Sequence, residues 1–262
     1  MLQLSAGLTA YFLFLAAVLG AAMGSFLNCM GWRIVHGEKL NGRSHCDACG
    51  HVLTARDLVP LFSYLFSKGR CRYCGAKLSA RHFWGELISA LVFVSALYKY
   101  DVSLQALEAL LWASLLLACA FTDLEGYIIP DGFILAMIAL RLLFLAWGGR
   151  FLPALWTALL GGFSVSAALL LVVTLYEKCS GKEAMGGGDI KLLFATGLYL
   201  GWQRNFLCLI LSCFVGILFG LLSQKKSGEE GKAFPFGPSI ALAAWLCFLW
   251  GQQWIDAYMG LF

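Results

Sequence analysis

The chain has 262 residues; 60% are hydrophobic, 13% are charged, the formal net charge is +4 and the mean hydropathy is +0.78. That balance excludes a soluble globular domain, which has no use for so much apolar surface. It places the chain among polytopic membrane proteins.

A membrane span takes about 20 apolar residues, each rising about 1.5 Å. Eight segments are read as spans: 5–30, 83–99, 104–121, 133–148, 152–175, 190–203, 205–222 and 238–255. The sixth is short, and the alternative count is seven, with 190–222 partly re-entrant. The first run carries no charge before Arg33 and no basic leading region. It is also too long for a signal-peptide core, so it reads as a retained span. Its tail, Gly24-Ser25-Phe26-Leu27-Asn28, has the small and polar residues of a close helix contact or an interhelical hydrogen bond.

With eight spans, segments 31–82, 122–132, 176–189 and 223–237 share one side, which together with Lys191 holds 15 of the 19 Lys and Arg. Basic residues mark the cytoplasmic side, so both termini are expected outside.

The first cytoplasmic segment contains Cys46-Asp47-Ala48-Cys49 and Cys71-Arg72-Tyr73-Cys74, with 21 residues between the pairs. Two C-x-x-C pairs at such spacing read as a structural zinc site of four thiolates. Gly50 and Gly75 follow the pairs and permit tight turns that aim backbone amides at sulfur. A segment this short buries little core, and metal binding, worth about 10–16 kcal/mol in zinc-finger peptides, would supply the missing folding energy. Two disulfides are the alternative, which a reducing cytoplasm opposes. His45 and His51 adjoin the pairs and could replace a thiolate, although four cysteines need no help. The other six cysteines, Cys29, Cys119, Cys179, Cys208, Cys213 and Cys247, read as small core residues.

Two aspartates stand at the ends of apolar runs, Asp123 in the 122–132 loop and Asp189 after Gly186-Gly187-Gly188. Both fall on the cytoplasmic side. A carboxylate at membrane depth is costly, about 2.5–3.5 kcal/mol at the centre on insertion scales, and marks function. Two carboxylates sharing one proton can hydrolyse a peptide: the ionised one takes a proton from water while the neutral one polarises the scissile carbonyl. Three glycines would allow unusual backbone geometry before Asp189 and leave room for a substrate strand. Asp189 would then open a helix, whose positive dipole end favours an anion. Other acids compete. Asp131, beside Pro130, reads as a helix cap, Glu125 as a solvated loop charge, and Glu86 as a partner for Arg81. Arg141, inside the fourth span, would snorkel or meet a carboxylate.

In combination these residues resemble the prepilin peptidases, the type IV leader peptidases of bacterial pilus, type II secretion and competence systems. The resemblance covers nearly the whole chain. Gly24 to Asn28 looks like the family's N-terminal box, and the paired knuckle follows with Leu58-Val59-Pro60, Ser63-Tyr64 and Gly69-Arg70-Cys71. Asp123 through Ile129-Pro130-Asp131, Gly186-Gly187-Gly188-Asp189 and Phe236-Gly237-Pro238 match the remaining boxes in order. The chain departs from the family at Arg33-Ile34-Val35, where Arg-Leu-Pro is common, and at Arg81-His82-Phe83, where Arg-Tyr-Pro is common.

The resemblance implies an aspartic endopeptidase of the bacterial inner membrane, with Asp123 and Asp189 catalytic. It implies cleavage of basic leaders from type IV prepilins and pseudopilins after glycine, at the cytoplasmic face. It alone implies N-methylation of the new amino terminus with S-adenosylmethionine. The expected fold is all-α, with about eight transmembrane helices and a zinc-knuckle domain inserted after the first. Residues 1–30 would form the first span, 31–82 the zinc-binding methyltransferase region and 83–262 the peptidase domain. Expected partners are prepilins or pseudopilins and the lipid bilayer, with no nucleic acid. Two other readings compete: an ion- or proton-coupled transporter with a regulatory zinc domain, and a membrane-anchored zinc scaffold whose acids only cap helices.

Overall fold

The computed structural model describes residues 6–46, 48–149, 151–181, 185–227 and 235–261. Asp47, Arg150, Lys182 and residues 228–234, which belong to segments assigned to one face or the other, lie outside them. Among the described residues the fold is all-helical: α1 (Ala6–Val35), α2 (Phe62–Phe66), α3 (Ala80–Tyr100), α4 (Leu104–Gly126), α5 (Asp131–Trp147), α6 (Phe151–Ser180), α7 (Gly187–Ser227) and α8 (Gly237–Met259). Two isolated antiparallel bridges, His45 with Val52 and Arg70 with Lys77, are the only β-type pairings in that set.

Among the described residues four helical stretches are long and apolar enough to cross a membrane: Gly7–Val35, Leu104–Gly126, Phe151–Ser180 and Gly187–Leu221. Helices α3, α5 and α8 do not reach that measure. Phe14, Leu19, Leu171 and Ile217 are each more than half exposed on these long helices. A soluble protein rarely leaves so much apolar surface uncovered, whereas hydrocarbon solvates it.

The chain divides into two compact units, Met1–Glu125 and Gly126–Phe262. In the first unit α1 packs against α3 along a row of small residues. A Cβ on Gly20 would lie 2.6 Å from the Ser89 carbonyl oxygen, and one on Gly24 would lie 2.6 Å from Ser89 Oγ. One turn further, Asn28 Nδ2 donates to the Arg81 carbonyl at 3.5 Å. Small residues four apart let two backbones approach where lipid offers no hydrophobic drive to associate. The Gly24–Asn28 stretch therefore does what its composition suggested.

Helix α1 does not stop at residue 30 but runs to Val35. Arg33 breaks the apolar count, yet it is buried because its guanidinium donates to the Leu40 carbonyl at 2.7 Å and the Gly42 carbonyl at 3.0 Å. The following loop thus folds back over the helix. Termination comes at Gly37, in the left-handed region at φ 68°, with the Glu38 N–H bonded to the Arg33 carbonyl at 2.9 Å. Glycine takes that conformation without a Cβ penalty, which makes it a common helix stop.

In the second unit α6 and α7 meet at Gly161 and Gly197; a Cβ on either would collide with the carbonyl oxygen of the other. The segments 190–203 and 205–222 form one helix broken at Gly201, where φ is 74° and ψ 173°. The break frees carbonyls that have no partner a turn ahead. Arg204 Nε donates to the Leu200 carbonyl at 2.7 Å, and Arg141 Nε to the Leu198 carbonyl at 3.0 Å. The Arg141 guanidinium also lies 5.2 Å over the Tyr199 ring. This bond to a backbone carbonyl gives Arg141 a partner that neither snorkelling nor a carboxylate predicted.

Candidate active site and metal centre

Each C-x-x-C pair folds into the same small hairpin. In the first, Cys46 N–H bonds to the His51 carbonyl at 2.9 Å and Gly50 N–H to the Cys46 carbonyl at 2.8 Å. In the second, Cys71 N–H bonds to the Ala76 carbonyl at 2.8 Å and Gly75 N–H to the Cys71 carbonyl at 2.9 Å. Gly50 and Gly75 have φ of 70° and 72°, the left-handed turn expected of them. The four sulfurs all lie within 4.8 Å of one another, and Cys46 and Cys74 Sγ are 3.9 Å apart. Zinc–sulfur bonds of about 2.3 Å in a tetrahedron set sulfur–sulfur distances near about 3.8 Å, so the donor set fits that ion.

Backbone amides of Cys74 and Tyr73 point at Cys71 sulfur and hold its thiol down at about 7. Thiolate, not thiol, binds metal, so these amides help prepare the site. Neither histidine joins the sulfur group: His51 packs tilted against Tyr73 with ring centroids 3.6 Å apart, and His45 packs edge-on to Trp32.

Asp57 ties the second hairpin to the turn that follows the first, a role that the sequence reading missed. Its carboxylate accepts from Thr54 Oγ1 at 2.7 Å and from Tyr73 OH at 3.2 Å, and faces Arg72 Nη1 at 3.4 Å. The Thr54 hydroxyl bond leads in holding this carboxyl below the usual carboxylate range. A T-x-x-D turn such as Thr54 to Asp57 is visible in sequence; Tyr73, sixteen residues from Asp57, is not.

The remaining cysteines divide. Cys119, Cys208 and Cys247 are buried as expected, but Cys179 and Cys213 are exposed and Cys29 is half-buried. The simple core assignment therefore fails for these three; Cys179 near the end of α6 and Cys213 on α7 both face outward.

Asp123 does not lie in a loop. Helix α4 continues to Gly126, so Asp123 sits in its last turn and is only 5% exposed. Thr122 beside it is fully buried and bonds back to the Ala118 and Cys119 carbonyls at 3.0 Å. Glu125 is likewise helical, and it is no free surface charge: Arg81 pairs with it, and His36 Nε2 stands 4.0 Å away. That pairing leaves Glu86 without the partner expected for it. Glu86 is buried and accepts instead from the Leu61 N–H at 2.6 Å.

In the second unit, Asp189 occupies the first turn of α7, as the glycine run suggested. The reason for the glycines differs from expectation. None of Gly186, Gly187 and Gly188 has a positive φ, so backbone freedom is not what they supply. A Cβ on Gly188 would lie 3.2 Å from Ile129 Cβ, and one on Gly186 would lie 3.3 Å from Asp189 Oδ2. These two glycines make room for a neighbour and for the carboxylate. A Cβ on Gly187 would meet nothing within 4 Å. Asp131 is not a helix cap either: Pro130 holds the N-cap position of α5, and Asp131 accepts from Lys191 Nζ at 2.7 Å.

Comparison with known proteins brings the two units under one heading. Residues 18–100 match the model of the bacterial peptidase A24 N-terminal domain, and residues 110–221 match that of the type IV leader peptidase family. A prepilin leader peptidase/N-methyltransferase of Aeromonas salmonicida is 39% identical over 212 residues, which cover 80% of this chain and 72% of that protein. Proteins of the same name from Pseudomonas putida and Bacillus subtilis are 34% and 31% identical; the alignments cover 93% and 92% of this chain and 92% and 96% of theirs. No solved structure matches the chain. With both family models matched in order and relatives aligned along nearly its full length, the chain belongs to the type IV leader peptidase family.

Proposed function

We propose that this protein is an integral membrane aspartic endopeptidase that removes the basic leader from type IV prepilins and pseudopilins after glycine. It then N-methylates the new amino terminus. The observation that carries this reading is the family match over residues 110–221, a stretch that contains both Asp123 and Asp189. The relatives are named for both activities, prepilin leader peptidase and N-methyltransferase. Family membership favours hydrolysis over the transporter and scaffold readings.

Asp123 and Asp189 share the catalytic proton. The ionised partner takes a proton from the attacking water, and the neutral partner hydrogen-bonds the scissile carbonyl and stabilises charge building on its oxygen. The two titrations belong to the pair and not to either residue. Burial of Asp123 and the first-turn position of Asp189 suit such roles.

The four cysteines hold zinc as a structural ion, since protein ligands fill all four positions and leave none for water. The functional division is 1–30, 31–82 and 83–262: first span, zinc-binding methyltransferase region and peptidase domain. Dividing α7 at Gly201 yields eight long helical stretches among the described residues, in support of an eight-span topology. The excess of basic residues in the proposed cytoplasmic segments supports an active site facing the cytoplasm of a bacterial inner membrane. S-adenosylmethionine supplies a methyl group on a positively charged sulfur when it is bound.

Incubation of the purified protein with a prepilin, followed by mass analysis of both products, tests this function. A leader ending in glycine and a mature chain beginning one residue later are expected, the latter gaining one methyl when S-adenosylmethionine is added. An intact prepilin, or a cut elsewhere, would refute the peptidase reading. An unmethylated product would remove the second activity.

A further inference from the structure

The short helix α2, between the cysteine hairpins, sorts its side chains onto two sides. One side is packed: the Tyr64 ring lies against Phe83 with centroids 5.4 Å apart, and the Leu61 N–H donates to the Glu86 carboxylate at 2.6 Å. The other side carries Phe62, Leu65 and Phe66, each more than half exposed, with the two phenylalanine rings stacked 6.4 Å apart. Leu58 and Val59, just before the helix, are exposed as well. Water gives a five-residue helix no reason to turn three large apolar side chains outward together.

The packed side fixes the depth of the exposed one. Glu86 follows Gly85 on α3, and a Cβ on Gly24 of α1 would lie 2.9 Å from the Gly85 carbonyl oxygen. Helix α2 is therefore tied to α3 at the level of Gly24. The uncharged stretch of α1 from Gly7 to Asn28 is about 33 Å long, against a hydrocarbon core of about 30 Å. Gly24 lies about 6 Å inside its end, so α2 sits where acyl chains give way to headgroups. At that level α3 begins an exposed apolar stripe, Trp84, Ile88 and Leu91, at the spacing of one helix face. Trp84 meets Phe83 edge-on with centroids 5.7 Å apart, so the rings of Tyr64, Phe83 and Trp84 join α2 to that stripe. Lys68 and Arg70, both exposed, follow α2 with the charge that lipid phosphate attracts.

We propose that α2 is a membrane-surface anchor: Phe62, Leu65 and Phe66 enter the bilayer at the boundary of acyl chains and headgroups. A second chain or a substrate helix would also cover an apolar face, but lipid is the occupant already present at this depth, continuous with the α3 stripe. The anchor works as interfacial helices do, with an apolar face in the acyl boundary and basic residues at the headgroups. It gives the segment between α1 and α3 a third attachment, so that the cysteine hairpins are held against the membrane. The inference needs only that α1 crosses the bilayer and is independent of either enzymatic activity.

The test is photolabelling of the unaltered full chain in vesicles of mixed phosphatidylcholine and phosphatidylglycerol. The probe is a phospholipid with a diazirine at the headgroup end of an acyl chain, and labelled peptides are mapped by mass spectrometry. Segment 58–66 should take label as strongly as 84–91, and about tenfold more than 38–42, which lies beyond the end of α1. Replacing the three apolar residues together, by Phe62→Ser, Leu65→Ser and Phe66→Ser, should remove most of the label from 58–66 and leave that on 84–91. Label on 58–66 no stronger than on 38–42 would overturn the anchor. Label that disappears when a prepilin is added would assign the face to substrate. Label that rises steadily as the protein is diluted in lipid would assign it to a second copy. Either result would overturn the proposal.

Discussion

The cysteine hairpins and the helix pairs achieve order by opposite means. Among the described residues between 45 and 78 there are one five-residue helix, two isolated bridges and few buried apolar side chains. What orders this region is directional: four sulfurs, paired amides and the Asp57 clamp. The α1–α3 and α6–α7 contacts each carry an asparagine bond to a facing carbonyl, Asn28 to Arg81 and Asn205 to Gly161, but their close approach rests on missing side chains at Gly20, Gly24, Gly161 and Gly197. One region should therefore fail when a bond is removed, and the other when an atom is added.

The largest expected effect is on the hairpins. Cys46→Ser should lower bound zinc to background and open 36–80 to limited proteolysis, because structural zinc contributes about 10–16 kcal/mol in comparable peptides. Zinc retained at one per chain after all four cysteines are replaced would contradict the assignment. The helix contacts come next. Gly161→Leu should destabilise the second unit by about 1–3 kcal/mol or more, read as a lower melting temperature in detergent. Gly220→Ala is the matching control: a Cβ there meets nothing within 4 Å, so it should be neutral or slightly stabilising. Equal behaviour of the two variants would mean that glycine packing does not hold α6 to α7.

The third effect is a pH dependence. Zinc binding must displace every proton still held by the four thiols. Cys71, held down at about 7, already lacks its proton above that pH and keeps it below. Affinity should rise with pH, and the protons released per zinc should fall by about one on crossing pH 7 upward. Calorimetry in buffers of different ionisation enthalpy measures that number; a constant release from pH 6 to 8 would sink the argument. The smallest effect is Asp57→Asn. Loss of its clamp should cost about 1 kcal/mol and loosen the hairpins without releasing zinc at neutral pH, as hydrogen exchange at Tyr73 and Arg72 would report.

The same contrast explains what could be read from the chain before its structure. The hairpins were legible because their signal is local: the spacing within each C-x-x-C pair and the glycine after it. Helices were legible from apolar runs, but their ends were not. Residues from 31 on, Arg33 among them, read as the start of a loop, yet α1 runs through Arg33, whose guanidinium is satisfied by the carbonyls of Leu40 and Gly42. Arg204 stood as the break between the spans 190–203 and 205–222. In the structure Arg204 bonds back to Leu200 and Asn205 Nδ2 to the Leu193 and Gly161 carbonyls, and the break falls at Gly201 instead. Asp123 and Glu125 read as loop acids because Thr-Asp-Leu-Glu-Gly is polar, yet helix α4 carries through them. The hydrogen-bond partners named for Glu125, Glu86 and Arg141 lie 25 to 57 residues away in sequence. Pairings at that separation depend on how helices dock, which no local pattern states.

The claim beneath the enzymatic reading is that hydrolysis depends on two carboxylates and on neither alone. Its most direct test is the rate at which purified Asp123→Asn and Asp189→Asn proteins, each extracted from membranes and carrying one zinc, cut a prepilin under single-turnover conditions. Each change should slow cleavage by roughly 10²–10⁴-fold or more, the worth of a positioned acid or base. Cleavage at the unaltered rate by either protein would contradict the account.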